Sequence, residues 1–292
     1  CLASPLRDVY KRQKLMRVED YEAYLLKQVS ILHKHFEEEK NILFYRQPSV
    51  HDLMEMIVHY DDRLYERLPF NEDFMVVSLG LGDIDSCLQI DYQTNYLTKD
   101  DITIFSQDLL KNYKKQKEVP VTTNLAGNVV GLVVSHNTGQ LFIQQLLLQI
   151  AAFHSYHDVI FVNLISQEDY NQIWKKWRFL PHFQLPSINV RSFVYDERSK
   201  DVVLTSLYQV LQSRFQEKNG RDKTYLPQIV IIISDDHLLS GHAINEFLSR
   251  PDLASIGVTV IWSKESRRQL PETITTLISI KNSNTAVSYT HL

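Results

Sequence analysis

The second half of the chain, from Pro120 onward, alternates short apolar runs with longer amphipathic stretches. The apolar runs have the length of buried strands, and the amphipathic stretches have the spacing of helices. Apolar strands separated by helices are typical of a mostly parallel sheet covered on both faces, so we predict an α/β fold. Strands are predicted at residues 121–125, 129–134, 159–164, 188–194, 228–233, 257–262 and 275–280, and helices at 141–150, 168–177, 200–216 and 243–248.

The first half of the chain has a different pattern. Residues 18–45 carry apolar side chains at roughly helical spacing between charges, which predicts one long helix. After it, Ser49 is placed to cap a second helix over residues 51–64. Strands are predicted at 74–79 and 88–92 around a turn at 80–85, followed by a helix at 100–114 whose charged end, 111–118, is expected to be solvated.

The apolar run at 129–134 is followed by a polar turn and then a helix, which is the context of a phosphate-binding P-loop. The turn consists of Ser135, His136, Asn137, Thr138, Gly139 and Gln140. A working P-loop has a lysine for the phosphates after its last glycine, and then Ser or Thr for Mg²⁺. Here Gln140 and Leu141 occupy those positions. Losing two contacts of about 1.5–3 kcal/mol each weakens binding roughly 10²–10⁴-fold, so no catalytic residue is expected in this loop.

A second apolar run, 229–233, ends in Ser234, Asp235 and Asp236. An apolar strand followed by acids is the Walker B layout, in which a carboxylate orients Mg²⁺ and its water. Two interpretations stay open for these acids: part of a degenerate nucleotide site, or a structural feature where the chain leaves the core. Two interpretations also stay open for the start of the helix after the 135–140 loop. It could bind an anion through its free N–H groups, or it could be only a capped helix start, since Asn137 and Gln140 have capping-box spacing.

Composition narrows the class of protein. Hydrophobic residues make up 44% and charged residues 23% of the chain, as in ordinary globular proteins. The net charge of −4 argues against a domain that grips nucleic-acid backbones. The cysteines are Cys1 and Cys87, which excludes a disulfide framework and cysteine-ligated zinc. With 8 glycines in 292 residues, several glycine-rich phosphate loops are not expected.

Two pairs of residues have a functional and a structural interpretation. His154 and His157, three positions apart, would suit one metal ion, but we expect the polar end of a helix and no metal site. Trp174 and Trp177 lie among basic residues, an arrangement that suits stacking on nucleic-acid bases. Packing of both indoles in the core is the interpretation that we favour.

The two ends of the chain are of a kind that inverted copies of one DNA string would encode. Residues 8–13 and 287–291 match the two strands of a transposon end that is used to prepare sequencing libraries. We therefore assign residues 1–13 and 286–292 to adapter sequence. Between them we expect a helical stalk or linker at 14–66 and an ATPase-like domain at 67–285, and we expect the natural protein to continue in both directions.

Six sequence pieces occur in an order that resembles one family. They are Leu64-Tyr65-Glu66-Arg67 with Pro69; Asp73-Phe74 with Leu79-Gly80-Leu81-Gly82; Val119-Pro120-Val121; Gly131-Leu132-Val133; Leu148 to Tyr156; and Trp177-Arg178-Phe179-Leu180-Pro181-His182. Within the first piece, Glu66 and Arg67 are expected to hold a helix to the sheet. Over about residues 17–281 the chain resembles the FtsK/SpoIIIE-type membrane ATPases of type VII secretion, the EssC/EccC family, in the segment after the transmembrane helices.

The resemblance implies a P-loop NTPase-like domain of the RecA/FtsK type with degenerate nucleotide motifs. It implies a non-catalytic structural or regulatory part of a secretion motor whose parent uses ATP and Mg²⁺ in other domains to export WXG-type proteins. No cofactor is expected in this segment. The implied partners are the parent's downstream ATPase domains, other subunits of the machine and further copies of the parent, without nucleic acid. The implied location is the cytoplasmic face of the cell membrane. The competing hypotheses are an active domain that hydrolyses ATP and a DNA translocase.

Overall fold

A computed structural model of the chain describes residues 5–90, 110–185, 188–217, 224–250, 252–282 and 285–290. The chain divides into two compact units, one of residues 1–48 and 80–121, the other of residues 49–79 and 122–292. The predicted boundary between residues 66 and 67 falls inside the second unit. The domain assignments and the adapter origin of the two ends stay predictions.

The first unit contains the long helix α1 (Pro5–Arg46), so the helix predicted at 18–45 is confirmed and extended. Glu39 of this helix accepts hydrogen bonds of 2.6 Å from the Ser86 hydroxyl and the Cys87 amide. Partial burial would raise the pKa of Glu39, but the hydrogen bonds from Cys87 and Ser86 outweigh it and hold this pKa below its usual value. The contacts attach one turn of α1 to residues 86 and 87.

Two strands, β1 (Val76–Asp85) and β2 (Lys115–Asn124), pair with each other. The predicted turn at 80–85 is therefore wrong, because the chain continues as a strand through both glycines. Residues 88–90 of the predicted strand at 88–92 lie outside any strand, and the rest of it lies outside the described residues. The helix predicted at 100–114 falls mostly on residues that are likewise not described. The charged run at 111–118 was expected to be the end of a helix, but its last four residues belong to β2. Strand pairing overrides the local preference of the sequence for a helix.

Helix α2 (Val50–His59) opens the second unit, with Ser49 as its N-cap in a capping box with Asp52. The predicted cap is confirmed, but the helix ends earlier than predicted because Tyr60 adopts a left-handed conformation with a φ of 54°. After this helix, Arg67 is 2% exposed and donates a hydrogen bond of 2.8 Å to the carbonyl of Val76. Glu66 does not share that role, because it pairs with Arg63 at 2.8 Å.

The second unit is built on a seven-stranded sheet. Its strands are β3 (Val129–Val133), β4 (Val159–Leu164), β7 (Phe193–Val194), β8 (Gln228–Ile233), β9 (Val258–Lys264), β10 (Thr276–Asn282) and β11 (Thr285–Thr290). Their order is β11-β10-β3-β9-β8-β4-β7, and every pairing is parallel except that of β10 with β11. The predicted mostly parallel sheet is confirmed. The predicted strand at 188–194 is instead β7 and the short β6 (Val190–Arg191), which pairs with β5 (Gln184–Leu185).

Helices cover both faces of this sheet. They are α3 (His136–Phe153), α4 (Gln167–Asp169), α5 (Glu197–Glu217) and α6 (Asn245–Leu248); α4 runs on into a π turn, Tyr170–Trp174, and a 3₁₀ turn, Lys175–Phe179. Successive residues of β8 belong to two separate buried clusters, with Val230 and Ile232 in one and Ile229 and Ile231 in the other. A strand that is buried on both faces needs apolar residues at every position, which explains its continuous apolar run. Among the helices of the described residues, none has the length and apolarity needed to cross a membrane.

Candidate functional site at the carboxyl edge of the sheet

The parallel arrangement brings several polar segments to one edge of the sheet. The loop at 135–140 follows β3, Ser166 follows β4, Asp235 and Asp236 follow β8, and Lys264 ends β9. Carboxyl ends of parallel strands meet at the same edge, and ligands of open α/β sheets bind there. The sequence-predicted residues are therefore brought to the correct edge for a nucleotide site. Their side-chain contacts decide whether they form one.

The loop itself begins helix α3 without a side-chain cap. Ser135 is the N-cap residue, yet its hydroxyl bonds the Thr138 hydroxyl at 3.0 Å rather than a backbone amide. The predicted capping box of Asn137 and Gln140 is wrong, because the helix already starts at His136. Gly139 is tightly enclosed: a Cβ there would lie 2.8 Å from a Val134 methyl carbon. This glycine is thus explained by packing between helix and sheet.

Gln140 holds the position that a lysine holds in a working P-loop, and its side chain is directed into the core. The residue is 2% exposed, and its Oε1 accepts a hydrogen bond of 2.7 Å from Nε1 of the fully buried Trp174. One turn further on, Gln144 accepts a bond of 3.2 Å from Nε1 of Trp177. The prediction that the two tryptophans pack in the core is confirmed for Trp174, while Trp177 is partly buried against the same cluster. Leu141, at the Ser/Thr position, is 63% exposed.

His136 ties the loop to the chain that follows β4. Its Nε2 lies 2.9 Å from Oδ1 of Asp169, whose side chain is only 12% exposed. The other carboxylate oxygen of Asp169 accepts a hydrogen bond of 2.8 Å from the Ser166 hydroxyl, and the Asp169 amide donates to that hydroxyl in return. Sequence reasoning missed Asp169, although a serine three residues before an acid is the signature of a helix start. Its carboxylate is fully engaged within the fold.

The two acids after β8 have separate partners. Asp236 lies 2.9 Å from Nζ of Lys264, whose side chain is 11% exposed. Partial burial alone would raise the pKa of Asp236, but the hydrogen bond and charge of Lys264 hold it below its usual value. Asp235 accepts a hydrogen bond of 3.0 Å from the amide of His237. Lys264 was not identified from the sequence, where its only signal is a cation at the end of an apolar strand.

The loop and the acids are not joined to each other. Strand β9 lies between β3 and β8, and its last residue, Lys264, is paired in register with Val133. Across the described residues, no hydrogen bond or ion pair links the 135–140 loop to Asp235 or Asp236. No group of three or more His, Cys, Asp or Glu side chains is placed to hold a metal ion in that part of the chain. The edge therefore carries two side-chain pairs, the hydrogen-bonded His136–Asp169 and the ion pair Asp236–Lys264, that engage these polar groups within the fold.

The strand order and the strand–loop–helix at β3 define the class of protein. In this order the loop strand β3 and the acid-bearing strand β8 flank β9, and the domain is an α/β protein with a mostly parallel sheet covered by helices on both faces. No protein-family model matches the chain. Curated relatives do match it, and they name one family.

The ESX secretion system protein EccC of Geobacillus thermodenitrificans is 31% identical over 275 residues, which cover 93% of this chain and 18% of that protein. The type VII secretion system protein EssC of Staphylococcus aureus is 29% identical over 283 residues, which cover 94% of this chain and 19% of that protein. The chain is homologous to a segment of the EssC/EccC proteins of type VII secretion, so the resemblance given by the sequence is confirmed. It spans about a fifth of the length of these relatives.

Two solved structures have a similar chain trace. EssC (ATPases 2 and 3) of Geobacillus thermodenitrificans matches 74% of this chain and 39% of its own length, at 14% identity and a TM-score of 0.45. EccC (ATPases 2 and 3) of Thermomonospora curvata, in complex with a signal sequence peptide, matches 75% of this chain and 38% of its own length, at 14% identity and a TM-score of 0.44.

Proposed function

We propose that this segment is a non-catalytic structural or regulatory domain of a type VII secretion motor. The observation that carries the proposal is the position of Gln140 in the core, bonded to the buried indole of Trp174. A P-loop acts through a lysine that reaches the phosphates of the nucleotide. Here the corresponding side chain is neutral, buried and engaged with another part of the same domain.

Two energetic arguments support a loop that does not bind nucleotide. Turning the Gln140 amide out toward a ligand would leave the buried Nε1 of Trp174 without its acceptor, at a cost of about 1–3 kcal/mol. A Mg²⁺ ion at Asp236 would have to compete with the ammonium group of Lys264, which lies 2.9 Å away. Both costs are added to the missing lysine and hydroxyl contacts, so the ATP-hydrolysing alternative starts from a weak site.

On this proposal the domain couples the membrane-anchored part of a parent protein to downstream ATPase domains of the same chain, at the cytoplasmic face of the cell membrane. ATP and Mg²⁺ act in those other domains, and the parent assembles with copies of itself and with other subunits to export WXG-type proteins. Support comes from the names of the relatives, which are secretion system proteins. The net charge of −4 supports a role without nucleic acid and disfavours the DNA-translocase alternative.

Titration calorimetry of Mg²⁺·ATP into the full chain tests the proposal. We expect no saturable heat from the 135–140 loop up to about millimolar ATP. The site variants are Thr138→Val and Asp236→Asn, and Asp201→Asn on the exposed side of α5 is a matched charge control. Micromolar binding that both site variants remove and the control keeps would establish a nucleotide site and overturn the proposal.

A further inference from the structure

A second concave site lies at the same edge of the sheet, next to β7. It is a cavity of about 550 Å³ between the 3₁₀ turn Lys175–Phe179 and the start of α5. Three arginines line it: Arg178 from that turn, Arg191 from β6, and Arg198 from the first turn of α5. Small-molecule sites have volumes of about 300–1,000 Å³, so the cavity is large enough for a small organic ligand.

The charge of this cavity is positive although the chain as a whole carries −4. The three arginines contribute +3 and Asp196 contributes −1, which leaves +2 among the lining residues. The carboxylate of Asp196 is already engaged, because its Oδ1 accepts bonds of 2.7 Å and 2.6 Å from the amide and hydroxyl of Ser199. Those hydrogen bonds from Ser199 hold the pKa of Asp196 below its usual value. Among the described residues, none of the three arginines forms an ion pair with a carboxylate.

The remaining wall of the cavity is apolar and aromatic. Phe179 is 75% exposed, with the guanidinium carbon of Arg178 placed 5.3 Å from its ring centroid. Val202 of α5 is 44% exposed in the same wall. The back of the cavity is fixed by Tyr170 and Tyr195, whose rings stack at 3.9 Å and 7°. Nη1 of Arg191 donates a hydrogen bond of 3.2 Å to Oε1 of Gln184. An exposed aromatic ring beside guanidinium groups that have no carboxylate partner offers a planar ligand both stacking and charge.

We propose that this cavity binds a phosphomonoester that carries an aromatic or other planar group. A phosphomonoester has a charge of about −1.5 to −2 at neutral pH, which matches the +2 of the lining, and guanidinium groups bind its oxygens in bidentate fashion. The planar group packs against Phe179 and Val202. The same chemistry is found in a phosphotyrosine side chain and in a nucleoside monophosphate. This site is separate from the 135–140 loop, and nothing in the proposed function of the domain requires it.

Calorimetry with the full chain and phenyl phosphate tests the inference. Phenyl phosphate is the smallest ligand that has both a phosphate group and an aromatic ring. We expect saturable binding at about millimolar concentration or tighter, in line with the best affinities per atom of small ligands. Arg178→Gln and Arg198→Gln should each weaken it about tenfold or more, because each removes a charge-assisted hydrogen bond. Arg267→Gln, on the exposed turn after β9, removes the same charge outside the cavity and should leave binding unchanged. Phe179→Ala should weaken phenyl phosphate but not inorganic phosphate.

The results separate the alternatives. Absence of phenyl phosphate binding overturns the inference. So does a loss of affinity in Arg267→Gln that equals the loss in the two cavity arginine variants. Equal affinity for inorganic phosphate and phenyl phosphate overturns the role of the aromatic wall. A preference for adenosine monophosphate over phenyl phosphate, lost in Arg178→Gln, supports the site with a nucleotide as its ligand; the reverse preference supports a phosphotyrosine. Binding that persists in the arginine variants and is lost in Thr138→Val would place the anion in the loop and overturn both this inference and the proposed function.

Discussion

Nε1 of Trp174 donates a hydrogen bond of 2.7 Å to Oε1 of Gln140, and both side chains are buried in the core of the α/β unit. The bond joins the N-terminal part of α3 to the π turn that follows α4. Both elements start at the carboxyl edge of the sheet. A residue in the position of a catalytic lysine thus contributes to packing between two crossover segments.

Replacing Gln140 with leucine should lower the free energy of unfolding by about 1–3 kcal/mol, because the buried indole nitrogen loses its acceptor. Urea unfolding followed by tryptophan fluorescence measures this change as a lower midpoint. Leu141→Ser is the control: the side chain next along the helix is 63% exposed and should matter little. Equal midpoints for Gln140→Leu and the unmodified chain would mean that the bond contributes nothing.

The double variant Gln140→Lys/Leu141→Ser restores the two P-loop residue types. We expect it to be less stable than Gln140→Leu, because a buried ammonium must desolvate or turn outward and leave the indole unpaired. We also expect it to bind no more Mg²⁺·ATP than the unmodified chain, as measured by calorimetry. A clear gain in ATP affinity would show that the loop is already arranged for phosphate.

Gly127→Ala should destabilise the fold more than Gly241→Ala. Both glycines have a φ near +70°, so alanine at either position costs about 1–2 kcal/mol of backbone strain. At Gly127 a Cβ would also lie 2.5 Å from Cβ of Ala254, which adds about 1–3 kcal/mol, whereas nothing lies within 4 Å of the position at Gly241. Thermal or urea unfolding of the pair measures the difference, and equal losses would show that the Ala254 segment moves freely.

His154 should make the stability depend on pH. Burial lowers the pKa of His154 from 6.5 to about 4, and its neutral ring is held by the amide of Met75 at Nε2 and the carbonyl of Ile150 at Nδ1. Between these pH values the unfolded chain binds a proton that the folded chain does not, so stability is highest above pH 6.5 and falls as the pH falls to about 4. This shift in the pKa of His154 corresponds to a loss of about 3 kcal/mol in the free energy of unfolding over that pH range.

Urea titrations at several pH values between 7 and 4.5 measure this effect. His154→Gln should flatten the pH dependence, while His59→Gln, at an exposed position, should leave it unchanged. A profile that His154→Gln leaves as steep as before would assign the dependence to other groups, such as His182, whose pKa burial also lowers.

The sequence predicted those parts of the fold in which local pattern and tertiary environment agree. Strands β4 and β8 have the predicted bounds because each is apolar on both faces, and Ser49 caps its helix through neighbours in sequence. Residues 80–85 were assigned to a turn between two predicted strands, but pairing with β2 makes them part of a strand. Local pattern does not report such pairing between distant segments.

The candidate site was predicted less completely. The loop at 135–140 and the acids after β8 were located correctly at the ends of strands, and parallel pairing brings them to one edge. The burial of Gln140 could not be inferred, because its partner Trp174 lies 34 positions away in the chain. The role of Lys264 depends on β9 lying between β3 and β8, and strand order is fixed by packing of the whole sheet.

The bond between Gln140 and Trp174 also restricts how a sequence of this kind can change. A lysine at position 140 would leave the indole without an acceptor, and a phenylalanine at position 174 would leave the buried amide without a donor. Either single substitution gives a less stable protein, so the two positions are coupled. Replacing both residues together costs the least stability. Return to a nucleotide-binding loop by one substitution at position 140 is therefore opposed by the stability of the fold itself.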